Sequence, residues 1–134
     1  MIDILKQYEI FVDGVTSETS KNNKIFIERI QELDKQGIDI ARLLTGSLGL
    51  MSESSELAEV VKKCLFHGKP LNEENLTHLK KELGDVCWYF TNVCIALGID
   101  IETVMRQNIK KLEARYPGGQ FNIERAENRA KGDI

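Results

Sequence analysis

"KKELGDVCWYF", residues 80–90, sets two acids into a stretch that otherwise reads as the inside of a helix. Glu82 and Asp85 are followed by Val86, Cys87, Trp88, Tyr89 and Phe90. An α-helix rotates successive side chains by about 100°. With Glu82 at zero, Asp85 falls at about −60°, Val86 at about +40°, Tyr89 at about −20°, Val93 at about +20° and Leu79 at about +60°. Both acids therefore lie on the apolar stripe, while Lys80 and Gly84 point the other way. Burying an unpaired carboxylate costs several kcal/mol or forces it to take up a proton. Something must meet these two acids.

The pattern occurs twice. In "GLMSESSELAEVVKK", residues 49–63, Glu56 falls at about −60° from Glu53, with Leu57 at about +40°, Val60 at about −20° and the following Cys64 at about +20°. The intervening "FHGKPLN" is short enough for an antiparallel hairpin of the two helices. Facing stripes would bring Glu53, Glu56, Glu82 and Asp85 together. Four neighbouring carboxylates cannot all stay ionised unaided, and a divalent cation removes the conflict. Mg²⁺ favours oxygen ligands and shares its shell with water and phosphate.

Blander readings exist for each piece. A single E-x-x-E usually marks a solvated face, and Asp85 could pair with Lys81 at i,i+4. Two such pairs on the apolar faces of hairpin-joined helices are hard to reach by chance. A di-iron bundle is the nearest rival, but it uses Glu-x-x-His, and neither pair contains histidine.

A further polar intrusion lies in "ETVMRQNIKKLEARYP", residues 102–117. With Asn108 at zero, Lys111 is at about −60°, Arg115 at about −20°, Leu112 at about +40° and Val104 at about −40°. Cations aimed toward an acidic, metal-loaded centre suggest an anion between them, and a polyphosphate suits. The alternative is ordinary stem packing with the charged ends in water. On the preceding acidic helix, Lys63 lies on the side of Glu56 at about −80° from Glu53, whereas Lys62 points away.

The whole chain fits an all-α bundle around that hairpin. No stretch alternates apolar and polar residues long enough to demand a strand. Helices are predicted over about 2–12, 21–36 (N-capped by Ser20 and stopped by Gly37), 39 or 42 to 66, 73–97 (between Asn72 and Gly98) and 101–115, after Asp100. "TSETSKNN" reads as a polar connection, and Pro117-Gly118-Gly119 ends the last helix. The polar tail from Gln120 to Ile134 is expected to take order only against a partner chain. The 134 residues suit one domain: N-terminal helices to about 37, the acid-bearing helices over 39–115, and the tail over 116–134.

Composition excludes several functions. A net charge of −3 gives no global field for a nucleic acid polymer. No apolar run approaches the ~20 residues of a membrane span, and no signal-peptide layout opens the chain, so the cytoplasm is expected. Cys64, Cys87 and Cys94 fall in apolar helical patterns and read as reduced core residues. With no C-x-x-C pair, and His67 and His78 apart in sequence, a structural zinc site is not expected.

Glu53-x-x-Glu56, a gap of 25 residues and Glu82-x-x-Asp85 together resemble the signature of the MazG-like nucleoside triphosphate pyrophosphohydrolases. "KKELGDVCWYF", "LGIDIETVMRQNIKKLEARYPGG" and "ERAENRAKGDI" are similar to that family too, especially to its short bacteriophage-type members. The likeness runs from about Leu43 to Ile134. "SESSE" departs from it slightly, since relatives more often carry Gly or Ala between the acids.

The resemblance implies a helical fold assembled as a homodimer or a dimer of dimers. It implies Mg²⁺, with Mn²⁺ as a substitute, held by Glu53, Glu56, Glu82 and Asp85. One of these acids, Glu53 being the first candidate, would also orient or deprotonate the attacking water. Attack at the α-phosphorus of a (d)NTP would give the monophosphate and pyrophosphate, in the host cytoplasm for a phage-encoded protein. Lys63 and, at matching family positions, Asn108, Lys111 and Arg115 would bind phosphate. Trp88 and Asn92, at about −120° and −80° from Glu82, either touch the base or, for Trp88, pack at a dimer interface. The competing readings are a non-catalytic nucleotide-sensing or protein-interaction module, and a binder of some other metal ligand.

Overall fold

The computed structural model describes residues 3–128, and among them every regular element is a helix. The order is α1 (Ile4–Val15), α2 (Glu18–Lys21), α3 (Asn23–Lys35), α4 (Ile40–Phe66), α5 (Glu73–Leu97), α6 (Ile101–Arg115) and α7 (Ile123–Glu127). The chain divides into two compact units, Met1–Ala41 and Arg42–Ile134.

In the first unit the predicted 21–36 helix starts differently. "TSETSKNN" is not a plain connection: it contains the single turn α2. Asn22, not Ser20, caps α3, its side chain accepting from the backbone N–H groups of Lys24 and Ile25. Asparagine is at least as good a cap as serine, and Ser20 is occupied by a 2.8 Å hydroxyl contact with Ser17. Lys21 fastens α2 back onto the end of α1, donating to the Asp13 carbonyl at 2.9 Å. Its pKa is raised, chiefly by the hydrogen bond to the Asp13 carboxylate.

The second unit is built on the α4–α5 hairpin. Asn72 caps α5 through the backbone N–H of Asn75, and Gly98 ends it in the left-handed region at φ 63°. The Ile99 N–H then reaches the Cys94 carbonyl at 2.9 Å, which satisfies one orphaned end of the helix. Asp100 caps α6, accepting from the Thr103 N–H at 2.8 Å.

Two glycines set how closely α4 and α5 approach. A Cβ on Gly46 would stand 2.6 Å from Val93 Cγ2 and 3.2 Å from the Tyr89 carbonyl oxygen. A Cβ on Gly49 would lie 2.1 Å from two carbons of the Tyr89 ring. Both glycines are buried, as are Val60, Cys94 and Ala96. Gly46 against Val93 and Gly49 against Tyr89 fix the antiparallel register. Continued one turn along, the same register carries Glu53 to Asp85 and Glu82.

Two expectations change. Cys87 is exposed rather than a core residue, while Cys64 is half-buried and Cys94 buried. Cys87 sits at about +140° from Glu82, so the helix itself turns it outward. In the tail, residues 123–127 form α7 within this chain, capped by Asn122, whose side chain accepts from the Arg125 N–H. The end of "ERAENRAKGDI" lies outside the described residues. No helix among the described residues is long and apolar enough to cross a membrane.

Candidate metal centre

Glu53 comes from α4, and Glu82 and Asp85 come from α5. Each offers a carboxylate oxygen to one point, these atoms lying within 4.8 Å of one another. The burial of the three differs. Glu82 is 7% exposed, the one buried charged side chain among the described residues, whereas Glu53 is half-buried and Asp85 exposed. The cluster therefore opens to solvent along Asp85 and closes at Glu82.

Glu56 is exposed and falls outside this close group. It still acts on it. The pKa of Glu53 is raised above its ordinary 4.5, first by desolvation and then by the charges of Glu56, Asp85 and Glu82. Glu53 thus feels the other three acids, and among the described residues no lysine or arginine pairs with any of the four. Lys81 makes no ion pair with Asp85 among the described residues, so the bland i,i+4 pairing is not what holds that acid.

An all-carboxylate donor set suits a hard, oxygen-seeking cation better than a thiophilic or imidazole-seeking one. Three carboxylate oxygens converging from two helices are a fitting cradle for such an ion.

One neighbour of Glu82 was missed by the sequence reading. His78 Nε2 lies 2.9 Å from Glu82 Oε1, one helical turn earlier on α5. The signal was present, because a histidine four residues before an inward acid shares its face.

Among the cations, Lys63 has a partner of its own. Lys63 turns to Glu59, with Nζ 3.2 Å from Oε1, and Lys62 pairs with the other oxygen of the same carboxylate. Glu59 is held below its ordinary pKa by these two lysines, Lys62 first. Sequence spacing had set Lys63 beside Glu56 and had not weighed Glu59 as its partner. On α6, Asn108 is exposed while Lys111 and Arg115 are half-buried. Neither Asn108 nor Lys111 has a hydrogen bond or ion pair to the four acids among the described residues. Arg115 lines a small cavity of about 190 Å³ with Ala114, Pro117, Arg125 and Asn128.

Trp88 is 56% exposed and stands edge-on to Tyr89, ring centroids 4.8 Å apart. It lines an open groove of about 500 Å³ together with Arg42, Cys87, Thr91, Asn92 and Ile95. The Asn92 amide is already engaged: it donates to the Trp88 carbonyl at 3.0 Å and accepts from Arg42 Nη1 at 3.2 Å. One N–H and one lone pair of that amide are left for any further partner.

The sequence has relatives among known proteins. The family model of the MazG nucleotide pyrophosphohydrolase domain matches residues 43–120, a span that holds all four acids and α6. The "Gene 37 protein" of Mycobacterium phage L5 is 36% identical over 74 residues, which cover 54% of this chain and 65% of that relative. No solved structure matches the chain.

Proposed function

Because the chain belongs to the family of MazG nucleotide pyrophosphohydrolase domains, we propose that it is a Mg²⁺-dependent hydrolase of nucleoside or deoxynucleoside triphosphates. The products would be the nucleoside monophosphate and pyrophosphate. One observation carries the reading: Glu53, Glu82 and Asp85 bring carboxylate oxygens within 4.8 Å, inside the span that the family model matches.

In this reading the helices over residues 39–115 form the working part of a single domain. Glu53, Glu82 and Asp85 hold the cation, with Glu56 joining from the exposed side. Mg²⁺ suits their hard oxygens, and Mn²⁺ shares enough of that preference to substitute. A bound divalent cation supplies charge neutralisation for the triphosphate oxygens and acidifies water.

Glu53 is the acid best fitted to take the proton of the attacking water. It stands half-buried beside Glu82 and Asp85, next to the point where a cation and its water would sit. Water oxygen then bonds to the α-phosphorus as the bridge from that phosphorus to the β-phosphate breaks. The electron pair leaves with pyrophosphate. Lys111 and Arg115, on one side of α6, would steady that departing charge, with Asn108 beside them. Lys63 would have to exchange Glu59 for phosphate to join them. Trp88 and Asn92 border the groove where a base would stack or hydrogen-bond.

A homodimer or homotetramer fits the exposed stripe Leu44, Leu48 and Met51 on α4, 44%, 64% and 70% accessible and spaced at i, i+4 and i+7. Trp88 would be an alternative anchor of such an interface.

The test is incubation with each NTP and dNTP plus Mg²⁺, separating pyrophosphate from orthophosphate. Pyrophosphate and monophosphate in equal amounts are expected. No turnover of any nucleotide, with nucleotide still bound, would leave a sensing or interaction module in its place.

A further inference from the structure

We propose that His78 is a positioning residue for Glu82: its Nε2, 2.9 Å from Oε1, engages one carboxylate oxygen and fixes the group toward Glu53 and Asp85. The proposal rests on the metal-site reading above and adds a residue to it.

The contact differs from short-range pairs on α1 and α3. Lys6 with Glu9, and Arg29 with Glu32, join side chains that are both more than half exposed. Such pairs contribute little, because water competes for both partners. His78 is half exposed, but the Glu82 side chain it meets is only 9% accessible. Within that recess no other nitrogen donor reaches the Glu82 carboxylate among the described residues. A buried carboxylate without a donor would be costly.

The neighbours on the other side supply the reason a fixed carboxylate is needed. Glu53 and Asp85 stand close enough to repel Glu82. A carboxylate free to rotate would turn its oxygens away from theirs. The imidazole is carried on the same helix one turn earlier, so its distance to Glu82 is set by helix geometry rather than by a mobile loop. With one oxygen tied to Nε2, the remaining lone pairs face the space shared with Glu53 and Asp85. Ligand carboxylates are commonly steadied in this way, and losing the outer partner typically weakens metal binding by about 10–100-fold.

The experiment titrates Mn²⁺ into metal-free protein without nucleotide and follows the free Mn²⁺ signal by electron paramagnetic resonance. Wild type, His78→Ala, His78→Gln and Glu82→Gln are compared, with far-UV circular dichroism as the check on folding. His78→Ala should bind Mn²⁺ about 10–100-fold more weakly. His78→Gln carries an amide N–H at nearly the reach of Nε2 and should restore most of the affinity. Wild-type affinity in His78→Ala, with binding lost in Glu82→Gln, would overturn the positioning role while leaving the metal site intact. Equal loss in His78→Ala and His78→Gln would make the imidazole a direct ligand and overturn it too. No Mn²⁺ uptake by wild type would remove the metal site itself, and the role of His78 with it.

Discussion

Gly49 of α4 lies against the ring of Tyr89 in α5 so closely that a methyl group there would come within 2.1 Å of the ring carbons. Side chains do not tolerate such a distance, so any larger residue must move the ring or the helix. Gly49 sits one turn before Glu53, and Tyr89 one turn after Asp85. The contact that joins the hairpin is therefore next to the acids it brings together.

Gly49→Ala should destabilise the metal-free protein. Overpacking costs about 1–3 kcal/mol, against at most about 1 kcal/mol gained from alanine's better helix propensity. Urea unfolding followed by circular dichroism should show a lower midpoint. Mn²⁺ affinity should fall as well, since the shift falls on the register that pairs Glu53 with Glu82 and Asp85. An unchanged midpoint would mean that the Tyr89 ring swings away at no cost.

Glu53→Gln should stabilise the metal-free protein at neutral pH. The folded-state pKa of Glu53 lies above its ordinary 4.5, so the folded chain holds this proton more tightly than the unfolded chain. The stability that protonation brings is complete below pH 4.5 and is lost as pH rises through the folded pKa. Above that window the ionised Glu53 is a burden, which the neutral amide removes. Melting temperatures of wild type and Glu53→Gln, without metal, should differ at pH 7 and converge below about pH 4.

With metal and substrate the order reverses. Glu53→Gln or Glu82→Gln should reduce turnover by at least ~100-fold, through loss of charge stabilisation in the transition state. Near-normal turnover of either variant at saturating Mg²⁺ would remove these acids from the chemistry.

In ¹⁸O-water the label should enter the monophosphate, because attack at the α-phosphorus leaves the solvent oxygen there. Mass spectrometry of both products decides the point. Label found only in pyrophosphate would place the attack at the β-phosphorus.

The hairpin and its acids were legible because they follow helical period. Glu53, Glu82 and Asp85 share stripes with Val60, Val86 and Tyr89, and the caps Asn72 and Asp100 are local signals. The close approach at Gly46 and Gly49 was not, since a glycine inside a helix does not say which ring will press on it. His78 enters the sequence reading only in setting aside a zinc site, although its spacing to Glu82 holds the information. Lys63 was aimed by angle alone, and a flexible side chain follows the nearest charge, here Glu59. Cys87 was drawn inward by its apolar neighbours against its own angle on the helix.

Lys111 offers the sharpest test of the phosphate side. It is half-buried on α6, on the same side as Arg115, and has no acid partner among the described residues. A cation in that position is either a snorkelling side chain or one kept for an anion that arrives with the substrate. Gripping phosphate would make Lys111→Ala weaken the transition state by roughly 2–4 kcal/mol, the scale for losing a charged partner in a partly desolvated site. Phosphates carry no base identity, so kcat/KM should fall alike for four dNTPs. The metal-free melting temperature should hardly move, because the lysine makes no ion pair among the described residues. A fall confined to one base would place Lys111 at the base instead. No fall at all would return it to the protein surface and leave Arg115 to answer for the phosphates alone.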